Sequence, residues 1–418
     1  MSRLTATLYQ LKERAQLAPQ RIKRLVIEDA PVIAHNYLNR NQHSHGLVML
    51  DDIFPHILSS FRIAEFNTYL DQIPNSLVYS TGTAMKYVGE TRSFEGVVAE
   101  YEQRFPNHKN RVFKYNKLRH LQGGLAYTMF LNQLMLFIDV IERDQLPFVF
   151  TLYTSGGFNL DDPVSDNKLR RVFGSPYFKK IIVTQNVARD YILSKGLATP
   201  DQMAFIYGVV APTDYLAGNL PKRPRYGQDK ATFDICFVAN RYLPKGEDKG
   251  YDIFITAAKI LARSYSDVRF HVVGRFDKDV IDISDIEHQI TFYGARPTEF
   301  FPAFYSQMDV ILSPNPPFRA TPGAFDSFPT GCCVEAGICG AAVFCCDELG
   351  QNVALRDRED FVKIPHNASQ TAEMISHYIR QYDDLVQISQ HGSQTFKRVF
   401  GYESQIEPRL KVIKACLR

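Results

Sequence analysis

Between residues 233 and 347 the chain keeps alternating short apolar runs with a helical period, and that alternation constrains its fold more than any other feature. FDICFVAN (233–240) has the length and residue types of a buried strand, and YDIFITAAKILARSY (251–265) sets its apolar residues at helical spacing. VRFHVVG (268–274), ITFYG (290–294) and MDVILSP (308–314) are further strands, the first two closed by glycine. VEAGICG (334–340) reads as a small-residue helix and AAVFCCD (341–347) as the strand after it. Parallel strands need crossovers, so this pattern predicts a parallel sheet with helices on both faces. Ligands of such sheets bind beyond the carboxyl ends of the strands. The loops that follow each strand are therefore where chemistry is expected.

The first half is also α/β, with a less regular pattern. RLVIE (24–28), GLVMLDD (46–52), NSLVYS (75–80), PFVFTLY (147–153) and KKIIVTQ (179–185) read as strands. GLAYTMFLNQLMLFIDVIERD (124–144) and VARDYILSKG (187–196) read as helices, the second closed by glycine. Residues 211–231 hold three prolines, two glycines and several charges, a linker signature. With 418 residues the chain is too long for one ordinary core. The expectation is two Rossmann-like α/β domains facing each other across a cleft, one over 1–227 and one over 228–395. A closing helix within 396–418 is expected to pack back towards the first domain.

Composition narrows the function classes. A net charge of +3 offers no concentrated basic face, so nucleic acid is not an expected partner. No apolar run approaches the roughly 18–20 residues that cross a bilayer, and the N-terminus lacks the layout of a secretory signal. A cytoplasmic protein is expected. Five of the seven cysteines crowd into CCVEAGICGAAVFCC (332–346), which is neither a spread disulfide framework nor a zinc-ligand spacing. They are expected to pack as small apolar residues. The first 24 residues carry Arg3, Lys12, Arg14, Arg21, Lys23 and Arg24 against Glu13. On a helix this face either stays solvated or lies against anionic lipid at the inner face of the cell membrane.

The loops of the second half carry the strongest chemical pattern. In ANRYLPKGEDKGYD, Arg241 follows the first strand and Lys249 stands just before the next helix. Two cations at a helix N-terminus suit a diphosphate, because the helix end adds unpaired N–H groups and partial positive charge. A solvated Arg/Lys loop is the plainer alternative. Facing it, FDSFPTGCCVEAGICG (325–340) holds Asp326 and Glu335, carboxylates able to accept from sugar and ribose hydroxyls. Glu335 also fits an ordinary helix-start glutamate. Gly331 and Gly340 allow close backbone approach. In the first half, FVFTLYTSGGFN ends a strand at Tyr153 with Gly156 and Gly157 after it. RNQHSHGLVML places His43, His45 and Gly46 ahead of a strand, an acceptor-loop candidate, and LDDIFP adds Asp51 and Asp52.

Taken together, FVANR, KGYDIFITAAKIL, FHVVG, ITFYG, DVILSP and FDSFP…VEAGICG resemble the group 1 family of GT-B glycosyltransferases, over roughly residues 233–350. The resemblance implies a retaining enzyme that uses a nucleotide sugar and no metal or other cofactor. It implies that Arg241 and Lys249 grip the donor diphosphate, that Asp326 contacts the sugar, and that Glu335 binds the ribose. Ser327, Phe328 and Pro329 become a backbone cradle with Thr330 close by, and the base pocket is expected near Gly274–Arg275 and Tyr293–Gly294. The family commonly has two glutamates eight positions apart, whereas Asp326 and Glu335 are separated by nine. Where the family has a histidine near the reacting centre this sequence has Tyr153, which either acts there or packs in the cleft wall. The implied reaction is hexosyl or deoxyhexosyl transfer to a polysaccharide, glycolipid or lipid-linked glycan acceptor. A nucleotide-sugar epimerase of the same fold, and a transferase-like binding subunit without activity, are the competing readings.

Overall fold

The structure is a computed structural model, and it describes residues 46–56, 60–218 and 220–417 together with positions 29, 30, 32 and 34. The expected strand 24–28, the basic segment before it, and His43 and His45 lie outside the described residues. Seven parallel strands form the first sheet: β1 (Leu47–Asp51), β2 (Leu77–Ser80), β3 (Val112–Lys114), β4 (Leu125–Met129), β5 (Phe148–Leu152), β6 (Phe178–Val183) and β7 (Met203–Phe205). The second sheet has six: β8 (Phe233–Val238), β9 (Val268–Val273), β10 (Ile290–Gly294), β11 (Val310–Ser313), β12 (Ala342–Cys345) and β13 (Val362–Lys363). Their orders are β3-β2-β1-β4-β5-β6-β7 and β10-β9-β8-β11-β12-β13. Both reverse direction beside their first strand, at β1/β4 and at β8/β11, which is the Rossmann arrangement with its ligand crevice at the switch point. The two Rossmann-like domains make up the GT-B architecture expected from sequence.

The strands read from sequence in the second half are all present, because strands buried on both faces are continuous apolar runs. β8 pairs with β9 from Phe233↔Val268 to Val238↔Val273, and β11 pairs with β12 from Val310↔Ala342 to Ser313↔Cys345. The helix Tyr251–Ser264 buries Tyr251, Phe254, Ile255, Ala258 and Leu261, one face at helical period. The long helix expected over 124–144 needs correction. Residues Leu125–Met129 are β4, paired with both β1 and β5, and the helix begins only at Leu131. Phe130 makes the turn between them at φ 65. No Gly or Pro marks that turn, so apolar residues run through the boundary without a break. The 211–231 join also contains a short helix, Thr213–Gly218, whose Leu216 is buried.

One apolar cluster is continuous from the first sheet to the second. It includes Met49, Val149 and Ile182 on one side, Cys333, Val334 and Val343 on the other, and Val210, Phe400 and Leu410 between them. The C-terminal helices make this connection. Tyr382–Phe400 lies against the helix Gly331–Ile338, so closely that a Cβ on Gly337 would sit 2.7 Å from the Phe396 ring. After Gly401 the helix Tyr402–Cys416 crosses to the first domain and packs on β5, β6 and the helix Ser60–Gln72. Cys236, Cys333, Cys339, Cys345 and Cys346 are buried thiols, and none of the cysteines is in a disulfide. Among the described residues no helix is long and apolar enough to cross a membrane.

Candidate functional site

The carboxyl ends of the two sheets face each other across a cleft of about 790 Å³. Pockets for small-molecule ligands run roughly 300–1,000 Å³, so this one is large enough for an extended ligand. Asp52, Arg62, Gln133, Tyr153 and Gly156 line the first-domain wall; Lys249, Gly274, Asp326, Thr330 and Glu335 line the second.

Lys249 is fixed by its backbone. Gly250 follows it at φ 70 and caps the helix Tyr251–Ser264, and a Cβ there would come within 2.0 Å of the Pro314 carbonyl oxygen. Only glycine allows this loop to close on the end of β11. The Lys249 ammonium donates to both Asp326 oxygens, at 2.8 and 2.7 Å, and lies 5.2 Å from the Tyr242 ring centroid. Burial works against its charge, but the Asp326 carboxylate more than offsets this and holds its pKa above the ordinary lysine value. Asn315 donates to Asp326 Oδ2 at 2.8 Å, and Ser313 donates to Asn315 at 2.7 Å. Asp326 is thus engaged from two sides by its own domain.

Arg241 and Lys249 share a loop without sharing a target. The Arg241 guanidinium donates to the Pro244 carbonyl at 3.2 Å and does not line the cleft. Other cations, Arg62, Arg296 and Arg319, do line it. The helix Gly331–Ile338 opens on the cleft at Gly331 and Cys332, and Thr330 at its N-cap makes no side-chain cap to the helix. The first N–H groups of any helix have no intrahelical partner, so this end favours an anion. Glu335 stands one turn in. Burial pushes its pKa up to about 7, against a lowering hydrogen bond donated by Ser60 of the first domain.

The rest of the 325–330 loop is partly committed. Ser327 shares a 2.7 Å hydroxyl contact with Thr154 across the cleft, and the buried Phe328 accepts at its carbonyl from Gln185 at 3.2 Å. Ser327, Pro329 and Thr330 line the cleft, while Phe328 turns into the core. Gly274 also lines it, at φ 129, where a Cβ would sit 1.9 Å from the Ala239 carbonyl oxygen. Its neighbour Arg275 instead reaches the first domain, donating to the Tyr87 carbonyl at 2.6 Å. Tyr293 turns towards His271 (2.9 Å) and the rings of Phe300 and Phe304, and it does not line the cleft; nor does Gly294.

On the first-domain wall Tyr153 is 4% exposed, and its hydroxyl donates to Glu65 at 2.9 Å. Glu65 also accepts from Tyr69 and Tyr127, and Arg409 of the last helix lies 3.9 Å from it. Burial, then the Glu65 charge, raises the pKa of the Tyr153 phenol well above its ordinary value. Tyr153 therefore stands in the floor of the cleft with its hydroxyl turned inward. Gly156 and Gly157 allow the chain to pass Phe130 and Asn132: Cβ atoms there would fall 2.4 and 2.1 Å from those side chains. Gly46 precedes β1, at the amino ends of the strands and thus at the opposite edge of the sheet from the cleft; a Cβ there would meet the Asn75 carbonyl oxygen at 2.1 Å. Among the described residues no three His, Cys, Asp or Glu side chains are grouped as metal ligands.

Ser60, Arg62, Gln133 and Thr154 also line the cleft and carry no sequence signal of their own, whereas Asn315, on the same cleft, directly follows a strand read from sequence.

Comparison with known proteins bears on the fold and on the second domain. Residues 232–381 match the family described as glycosyl transferases group 1. Among solved structures, Anabaena Alr3699/HepE in complex with UDP matches with a TM-score of 0.59 at 16% identity, covering 88% of this chain and 100% of that one. A glycosyltransferase from Rickettsia africae matches at 0.60 and 14% identity, covering 90% and 99%. Sucrose-phosphate synthase from Thermosynechococcus elongatus matches at 0.56 and 12%, covering 88% and 98%. No curated protein matches.

Proposed function

From a GT-B scaffold whose second domain is homologous to the group 1 glycosyl transferases, we propose that this protein is a retaining glycosyltransferase. It moves a sugar from a nucleotide-sugar donor to a glycan or lipid-linked glycan acceptor. The observation that carries the reading is that Lys249, the open N-terminus at Gly331 and Glu335 share one wall of the cleft at the switch point of the second sheet.

In this reading the donor diphosphate lies between the Lys249 ammonium and the N–H groups at Gly331 and Cys332. Glu335 accepts from the ribose hydroxyls. As the bond from the anomeric carbon to the phosphate oxygen lengthens, negative charge builds on the diphosphate. Lys249 and the helix end then stabilise the transition state more than the ground state. The acceptor hydroxyl adds to the same face, and its proton passes to the departing phosphate oxygen. Arg241 joins by exchanging its long hydrogen bond to Pro244 for a phosphate oxygen. Asp326, held by Lys249 and Asn315, aims the ammonium and leaves at most a second lone pair for the sugar.

The test is a set of nucleoside diphosphates and their hexose and deoxyhexose conjugates screened by thermal shift, followed by assay of nucleoside diphosphate release with and without glycan acceptors. Stabilisation and acceptor-dependent release are expected. Isomerised donor without release would identify an epimerase, and binding without turnover would identify a non-catalytic subunit.

A further inference from the structure

The loop that carries Asp326 belongs to the second domain by sequence, running from the end of β11 to the helix Gly331–Ile338. Its anchors alternate between the two domains. Gly323 accepts at its carbonyl from the Leu160 N–H of the first domain at 2.9 Å. At φ 77, a Cβ on Gly323 would fall 2.0 Å from the Leu160 carbonyl oxygen. Phe325 is buried in the apolar cluster of the first domain, which also holds Leu131, Leu146 and Phe150. Its ring stands edge-on to Phe158, with centroids 6.0 Å apart. Ser327 then meets Thr154, and the Phe328 carbonyl accepts from Gln185, both again of the first domain. Asp326, between them, turns to its own domain. Its carboxylate accepts from Lys249 and Asn315, and its carbonyl accepts from Gln351 at 2.9 Å.

Asp326 is thus flanked on both sides by residues that the opposite domain holds, and a residue between two fixed neighbours has its own backbone position set by them. Phe325 is the firmest of these anchors. Protein interiors are close-packed, so withdrawing a ring from one leaves a void and is resisted. Lysine, by contrast, is a point charge on a flexible stem, and its ammonium takes its direction from the acceptor it meets. The Lys249 ammonium gives hydrogen bonds to both Asp326 oxygens. Where the loop places Asp326, the ammonium follows.

We propose that Phe158 and Gln185 of the first domain are positioning residues for the donor wall of the second. By holding Phe325 and the Phe328 carbonyl they set Asp326, and through it the Lys249 ammonium. Both are fully buried and neither lines the cleft, so they act without touching a ligand. The consequence for nucleotide affinity rests on the glycosyltransferase reading; the aim of Lys249 does not.

The experiment acetylates the full chain with limiting acetic anhydride, follows Lys249 by mass spectrometry, and titrates the same proteins with UDP, GDP, ADP, CDP and dTDP by calorimetry. Wild-type Lys249, engaged by Asp326, is expected to label slowly. Phe158→Ala and Phe325→Ala are each expected to speed its labelling and to weaken nucleotide binding about fivefold or more. Phe325→Leu should restore most of both. Leu146→Ala opens a cavity in the same apolar cluster, beside the amino end of β5 and so at the edge of the sheet away from the cleft. It should lower the unfolding midpoint and leave both readouts as in wild type. In a Lys249→Ala background, where no ammonium is left to aim, adding Phe158→Ala should change nucleotide affinity by less than about twofold. Should the alanine variants not fold, Gln185→Leu, which removes the bond to the Phe328 carbonyl, carries the same expectation at about twofold to threefold. Unchanged Lys249 labelling in the folded anchor variants, equal effects in Leu146→Ala, or an undiminished Phe158→Ala effect in the Lys249→Ala background overturns the proposal. If labelling rises in the anchor variants but no nucleotide binds wild type, the donor reading fails and the positioning role stands.

Discussion

The two cleft walls stand at equivalent ends of sheets with the same strand order, and they treat their charged groups in opposite ways. On the first wall Tyr153 and Glu65 turn inward to Tyr69, Tyr127 and Arg409, and Glu65 and Arg409 are 0% exposed. On the second wall Lys249, the Gly331 helix end and Glu335 open to the cleft. The first arrangement ties the last helix to the first domain; the second leaves cation, helix end and carboxylate within reach of a ligand. The lesson is that topology fixes where a site is, and the direction each polar group faces decides whether it holds the protein together or holds a ligand.

The largest expected effect tests the inward-facing wall. Arg409→Ala leaves Glu65 buried beside phenols without a cation, and removing one partner of a buried pair costs about 3–5 kcal/mol. Urea unfolding should show that loss, and a change under about 1 kcal/mol would mean that the phenols alone satisfy Glu65. Gly250→Ala comes next. Its positive φ and the approach of Pro314 imply a loss of roughly 1–3 kcal/mol, together with weaker nucleotide binding, because Lys249 is the adjacent residue. Stability and affinity falling together would tie the turn to the donor wall; unaltered affinity would separate them.

The smallest effect is a pH dependence at Glu335. With its pKa at about 7, Glu335 is protonated at lower pH and cannot accept from both ribose hydroxyls. Donor affinity should therefore rise as pH climbs through about 7, by about tenfold between roughly pH 6 and 8 if binding needs the ionised form. Glu335→Gln should flatten the profile. Ser60→Ala, which removes a hydrogen bond that lowers this pKa, should move the profile to higher pH. A profile that is unchanged in all these proteins would remove Glu335 from the donor site.

How far the sequence revealed this depends on the range of each interaction. The strands of the second domain were legible because each is an unbroken apolar run followed by a polar or glycine-containing loop, and Lys249 and Glu335 could be placed by counting from them. β3, β7 and β13 are edge strands of two or three residues, too short to show a period. β4 was hidden by the turn at Phe130, where a non-glycine residue takes a positive φ inside an apolar stretch. Ser60 meets Glu335 across 275 positions, and Arg409 meets Tyr153 across 256, so no local pattern announces either. Arg241 shows the converse limit. Its place in the loop was readable, but the direction of its side chain is set by a local carbonyl at Pro244.

The measurement closest to the central claim is nucleoside diphosphate release by Lys249→Ala, with the nucleotide sugar that the wild type turns over. If the Lys249 charge stabilises the leaving diphosphate in the transition state, kcat should fall on the order of 10²–10³-fold, as when a single charge-stabilising donor is removed. Lys249→Arg should recover part of that loss, and the thermal unfolding midpoint should show both variants folded. A folded Lys249→Ala protein with near-normal kcat would contradict the assignment of the donor wall.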